Sequence, residues 1–452
     1  MFALALRSLR RRAGAFTATF LAIFLGATIL MAFASLLDTS LGEGVSSANR
    51  ETLVTMANVV GGWGLLIVIF AVASTLTLSV RQRGTELALL KSIGATPAQI
   101  RRMIVGEAAV VAVIAAASAI PLALLAGHGL FAMLVHTHQL APNVEYVFGP
   151  IALSMGLGIT FVAATAAATL AARRATRVRA AEAMTEATTE PGRMTKKRIV
   201  AACVFLALGV YLAVLTVTVM RDKATDAMST AGSADGLAAI GFALLGPALI
   251  RKVIAIAAVP LERLGGASGH LAVQNLRRRS NQMATALMPI ILFTGISVGT
   301  LCMQSTENAV TATAGVAKTA DQKNIETLNL VVIAMIALFA AIMLINTLVA
   351  ATTHRRREFA QQRLAGATPV QVLRVVALES TVLTATGVLF GAIASLFTSI
   401  AYSNARADTF LPNSGAGIFL GMVTLAAVLT FTASLGTARR TIRTPAIDAV
   451  TA

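Results

Sequence analysis

Apolar residues along the chain gather into blocks of about 20, separated by short stretches rich in arginine, lysine, glycine and proline. A helix of that length rises about 30 Å, the thickness of a bilayer's hydrocarbon core. Ten blocks are predicted as membrane spans, over approximately 13–36, 59–80, 103–126, 150–172, 199–220, 237–258, 284–304, 328–351, 373–400 and 415–436. Arg251 and Lys252 interrupt the sixth. Each charge at a helix centre costs about 2.5–3.5 kcal/mol on insertion, so this helix is predicted to stop near 247–250, with 253–264 lying along the surface. The first block is too long for the apolar region of a signal peptide, and a similar arginine-led span recurs later in the chain.

Composition agrees with the pattern. Of 452 residues, 56% are hydrophobic and only 13% charged, and the mean hydropathy is +0.78. Soluble domains carry about 25% charged residues, so a water-soluble globular protein is excluded. The net charge of +17 suggests nucleic acid at first sight, but one tryptophan and three tyrosines offer almost no stacking platform. No nucleic-acid partner is expected. The positive charge instead clusters between alternate spans: with a cytoplasmic N-terminus, inside segments hold 31 Lys/Arg against 9 Asp/Glu, and outside segments 6 against 11. That is the positive-inside pattern, and it predicts a multi-pass protein of the cell membrane with both termini cytoplasmic. Cys203 and Cys302 lie in or beside apolar runs and suggest neither a disulfide nor a metal framework.

An internal repeat organises the spans. Leu4, Ala5, Leu9 and Arg10 to Arg12 match Leu271, Ala272, Leu276 and Arg277 to Arg279, an offset of 267. Arg83, Glu86, Lys91, Gly94, Ala95, Thr96, Pro97 and Glu107 match Arg355, Glu358, Arg363, Gly366, Ala367, Thr368, Pro369 and Glu379, an offset of 272. Arg173, Arg174 and Glu182 match Arg439, Arg440 and Asp448, an offset of 266. Each copy is a four-span unit. Spans five and six join the copies, and two crossings leave both facing the same way, a parallel repeat about an axis along the membrane normal. The predicted organisation is a first unit over 1–190 with an N-terminal elbow, a linker over 191–265 and a second unit over 266–452.

The central landmark has a readable local grammar. Residues 86–93 favour helix, Gly94 suits the positive φ of a C′ position, and Thr96, Pro97 and Gln99 offer an N-cap, a proline at N1 and a capping-box partner at N3. Gly366, Thr368, Pro369 and Gln371 repeat it. Each copy thus encodes a short cytoplasmic helix, a tight break and the start of the next span. One such element is a plain helix stop; two in phase suggest docking elements used as a pair.

The runs RQRGTELALLKSIGATPAQIRRMIVGEA and RRREFAQQRLAGATPVQVLRVVALES, with the ends RATRVRAAEAM and RRTIRTPAIDAV, resemble the FtsX/MacB-like permeases of ABC transporters. The resemblance implies an all-α polytopic membrane protein of two four-helix FtsX-like units, whose short helix between second and third spans is a coupling helix for a cytoplasmic ATPase. By position it implicates Glu86, Leu87, Leu90, Lys91, Gly94, Thr96 and Pro97 in one copy, and Glu358, Phe359, Arg363, Gly366, Thr368 and Pro369 in the other. The arginine-led segments before spans one and seven look like elbow helices. Many members carry a large extracytoplasmic domain, whereas the longest outside loop here is about 23 residues.

The chemistry is expected elsewhere. A P-loop needs glycine directly before Lys-Ser/Thr, and Lys91 and Lys318 follow Leu90 and Ala317, so ATP and Mg are expected on two partner ATPase subunits and no catalytic residue on this chain. Glu107 and Glu379 are the ionisable exceptions in the spans, read as interfacial partners of Arg101 and Arg102 or of Arg374. His128, His136, His138 and Glu145 share an outside loop region, but nothing in the sequence orders them as metal ligands. The resulting expectation is a non-catalytic permease subunit of an ATP-driven exporter of hydrophobic or amphipathic compounds, such as peptide antibiotics or lipids taken from the membrane. The alternative is a mechanotransmission or sensing subunit that relays ATPase motion to an outside enzyme or a sensor kinase.

Overall fold

The computed structural model describes residues 13–137, 139–177, 194–221, 224–313, 320–353, 355–410, 415–443 and 445. Among them twelve helices and no strand occur: α1 Ala13–Ser40, α2 Ser47–Gln82, α3 Gly84–Ser92, α4 Pro97–His136, α5 Pro150–Arg177, α6 Lys196–Thr218, α7 Ala224–Arg278, α8 Ser280–Thr313, α9 Ala320–Thr353, α10 Arg356–Leu364, α11 Pro369–Ala407 and α12 Ala416–Ile442. Nine helices among the described residues are long and apolar enough to cross a membrane. The predicted second span falls within α2, many of whose side chains lie outside the described residues. So do the N-terminal elbow at 4–12, His138, Glu182 and Asp448.

Two compact units emerge, one of residues 1–189 with 318–342, the other of 190–317 with 343–452. In the first, α1 packs against α2, α4 and α5. Met31 of α1 fills the space that a side chain at Gly156 would take, in a cluster with Ala27, Ala116, Ala119 and Ala123. The Asp38 carboxylate accepts the backbone N–H groups of Ile151 and Ala152 at 3.0 and 2.8 Å. An acidic side chain thereby satisfies the free donors and positive dipole end of α5. The α9 part of this unit is attached through Gln139 Nε2, which donates to Thr327 Oγ1 at 2.7 Å.

In the second unit α7, α8 and α11 pack on one another, with α6 and α12 outside them. Small residues permit the approach: Gly295 lies against Ala239 and Ala394, and Thr398 Oγ1 donates to Ala231 O at 3.0 Å. Without a hydrophobic drive inside lipid, such close contacts and interhelical hydrogen bonds supply the association.

Two expectations about the sixth span need correction. Its helix does not stop at 247–250; α7 runs on past Arg251 and Lys252 to a kink at Gly266, where φ is 54°. Arg251 Nε donates to Pro247 O, one turn back on the same helix, at 2.8 Å, while Lys252 is exposed. The helix also begins earlier than 237. Asp235, assigned by charge counting to an outside segment, is 1% exposed within it.

Candidate functional site

The two short helices follow the grammar of their sequences closely. In α3 the C-terminal turn is a Schellman motif: Ala95 N–H donates to Leu90 O at 2.9 Å and Gly94 N–H to Lys91 O at 3.1 Å, with Gly94 at φ 95°. Then Thr96 caps α4, accepting Gln99 N–H at 3.3 Å while its own N–H donates to Gln99 Oε1 at 2.8 Å. The second copy repeats each bond. Ala367 N–H donates to Gln362 O at 2.9 Å, Gly366 N–H to Arg363 O at 3.1 Å, Gly366 has φ 97°, and Thr368 and Gln371 form the second capping box. Pro97 and Pro369 occupy the first helical positions.

Beneath each bend lies a buried ion pair. Arg83, the N-cap of α3, meets Glu107 of α4; Arg355, the N-cap of α10, meets Glu379 of α11. Glu107, Arg355 and Glu379 are 3–4% exposed. The expected partners Arg101, Arg102 and Arg374 are therefore replaced. Arg102 and Arg374 stand five residues before their glutamates, which on an α-helix is about 140° around the axis, so they cannot turn to the same face. The arginines that do reach are 24 residues away in sequence.

In the second copy the pair extends into a network. Arg355 Nη2 donates to Glu379 Oε1 at 2.9 Å, Asn275 Nδ2 donates to the same oxygen at 2.9 Å, and Arg355 Nε reaches Glu358 Oε2 at 3.3 Å. Arg279 also pairs with Glu358. Asn275 and Arg279 end the segment after the Gly266 kink, which has the amphipathic pattern of the predicted elbow: Ala272, Val273 and Leu276 are fully buried, and Arg277 and Arg278 are exposed. The Arg355 guanidinium lies 4.9 Å above the Phe359 ring. Burial alone would lower its pKa, but the Glu379 and Glu358 carboxylates outweigh that and hold it above its ordinary value. Arg363 Nη1 donates to Ile442 O at 2.8 Å, tying α10 to the end of α12.

The sequence-derived coupling residues therefore divide by direction. Leu87 and Phe359, at equivalent positions, are buried at 4% and 1% exposure; Phe359 packs with Val372, Val376, Ala438 and Ile442. They anchor the element and do not belong to an outward contact face. Glu358 and Arg363 are engaged inside the second unit. Glu86, Leu90 and Lys91 are half-buried, while Gly94, Thr96, Pro97, Gly366, Thr368 and Pro369 are exposed. The outward face instead carries Leu89 and Ile93 at 66% and 74% exposure, and Leu364 and Val370 at 58% each. None of these four recurs as a large apolar residue at the 272 offset, where Gln361, Ala365, Ser92 and Ala98 stand, so the repeat does not mark them.

His128 of the outside region stacks edge-on against Tyr146, ring centroids 5.4 Å apart. This is a packing contact within the first unit.

Comparison with known proteins adds the family. The model of the FtsX-like permease C-terminal domain matches twice, at residues 58–179 and 330–446. Each matched segment contains one short helix, its glycine bend and its Arg–Glu pair. No curated protein matches the chain. With more than half its length matched, and with one matched segment in each copy of the repeat, the chain belongs to the FtsX-like permease family, that of multi-pass transmembrane permease subunits of ABC type.

Proposed function

We propose that this chain is the permease subunit of an ATP-driven exporter, and that α3 and α10 are the surfaces on which two cytoplasmic ATPase subunits seat. The observation that carries the reading is the duplicated element itself: a nine-residue helix, a Schellman glycine and a capping box, pinned from below by a buried Arg–Glu pair. A partner pressing on the exposed apolar side chains meets a rigid foot. Its load passes through Arg83 to Glu107 on α4, and through Arg355 to Glu379 on α11. In the second copy the elbow shares that load through Asn275 and Arg279. ATP and Mg are bound and hydrolysed on the partners, which supply the energy; this chain supplies the lever.

The cargo we infer is hydrophobic or amphipathic, a peptide antibiotic or a lipid entering from the bilayer. What supports this is the apolar, charge-poor character of the spans together with general family analogy. Outward transport and cytoplasmic termini rest on the same analogy and on the positive-inside pattern.

The test is reconstitution with the cognate ATPase pair. Replacing Leu89, Ile93, Leu364 and Val370 together by aspartate should remove both co-purification of the ATPase and stimulation of its hydrolysis while the permease stays folded. Retention of full coupling by that variant would overturn the docking assignment. A hydrolase or sensor kinase found as an obligatory third component would favour the relay reading.

A further inference from the structure

The second unit buries a carboxyl group that the coupling machinery does not use. Asp235 lies in α7 at 1% exposure, inside a stretch apolar enough to span a membrane. Among the described residues its Oδ1 has no hydrogen-bond partner. Its Oδ2 faces Gly299 of α8 so closely that any side chain there would overlap it, and the same added carbon would sit 3.4 Å from Thr398 Cβ of α11. Three helices thus close around one carboxyl.

What surrounds it decides what it can bind. The adjacent Thr398 hydroxyl has already given its proton to Ala231 O, so it offers the carboxyl only lone pairs. Among the described residues no cation faces the group. On α8 and α11 the nearby ionisable residues are occupied with each other: Tyr402 OH donates to Glu307 Oε2 at 2.7 Å, and Arg406 Nη2 donates to Glu307 Oε1 at 2.9 Å. Glu307 is eight residues beyond Gly299, about 12 Å along the helix. Glu379 of α11 is paired with Arg355, and Arg374 is exposed. On α6, Arg198 donates to Leu244 O, and Lys196, Lys197 and Tyr211 are exposed. On α7 itself, Arg251 donates to Pro247 O.

An ionised carboxylate without donors or a counter-charge is costly in such a place, and a metal ion would need an oxygen cage and room that Gly299 and Thr398 do not leave. A proton needs neither. We propose that Asp235 is a proton-binding site of the second unit, occupied while α7, α8 and α11 are packed together and emptied when their separation lets water reach the carboxyl. The carboxylate takes its proton from water and returns it to water, so protons favour the packed arrangement and, by reciprocity, packing favours the proton. The site stands on the second unit alone and does not depend on the ATPase reading.

The chain supplies its own reporter. Cys302, three residues beyond Gly299 on α8, is fully buried, and the other cysteine, Cys203, is exposed and can be removed as Cys203→Ser. In the full chain in lipid nanodiscs, thiol labelling of Cys302 should quicken from about pH 6 to about pH 9 roughly tenfold more than in Asp235→Asn, which mimics the protonated acid and carries the same thiol, so that thiol ionisation cancels. Equal pH dependence in the two proteins overturns the proposal. A second measurement needs no variant: a lipophilic carbodiimide, which reacts with protonated carboxyls in apolar surroundings, should modify Asp235 in the unmutated chain at about pH 6 and progressively less as pH rises. Modification confined to other carboxyls, or independent of pH, overturns it equally.

Discussion

Single residues carry the most exacting demands of this structure at two places, the buried ion pairs and the bend glycines. Removing one partner of a buried pair leaves an uncompensated charge, at a cost of about 3–5 kcal/mol. Glu379→Ala should therefore lower unfolding stability in detergent by that order, whereas Glu379→Leu combined with Arg355→Met should recover most of it. A loss in the double variant equal to or larger than in the single one would show that the charges, and not merely their pairing, hold α10 in place. Gly366 at φ 97° lies where a Cβ strains the backbone by about 1–3 kcal/mol although nothing stands within 4 Å of it. Gly366→Ala should thus destabilise without any steric overlap, and an unaffected unfolding midpoint would contradict the left-handed assignment. The glycines were legible in the sequence because only one residue type suits that conformation. The glutamates' partners were not, since Arg83 and Arg355 reach them only through the fold, from a separate helix.

Local rules suffice at the scale of the element. Gly-Ala-Thr-Pro followed two residues later by glutamine specifies a stop, a turn and a restart from backbone donors and acceptors that lie within a few residues of each other. For that reason the Schellman bonds and capping boxes appear as the pattern of residues requires. Thr96→Ala and Thr368→Ala should each cost about 1 kcal/mol, with serine restoring most of it; an alanine variant as stable as the native chain would mean that tertiary packing, not the cap, sets the start of α4 or α11. The outward face obeys no such local rule. Leu89, Ile93, Leu364 and Val370 are exposed, and changing them to aspartate should shift unfolding by less than about 0.5 kcal/mol each while abolishing ATPase retention on a tagged permease. Recurrence between copies marked the residues that build the foot, such as Leu87 and Phe359. The exposed apolar residues differ between copies: Leu89 stands opposite Gln361 and Ile93 opposite Ala365.

The whole molecule has a topology that labelling can decide. In a chain with Cys203 and Cys302 replaced by serine, cysteines at Ser92 and at Ala365, both exposed, should resist a membrane-impermeant thiol reagent in intact cells and react after permeabilisation, while one at Asn143 should react at once. Reaction of either bend position from outside would break the paired-foot mechanism. Blocks of apolar residues, alternating positive charge and a twofold recurrence determined by themselves that the chain is helical, membrane-spanning and duplicated, because lipid solvation and backbone hydrogen bonding act on each segment independently. Tertiary structure alone decided where α7 ends, which arginine holds which glutamate, and that Asp235 is enclosed. Each of those depends on atoms that meet across helices far apart in sequence, where no periodicity in a single segment records the encounter.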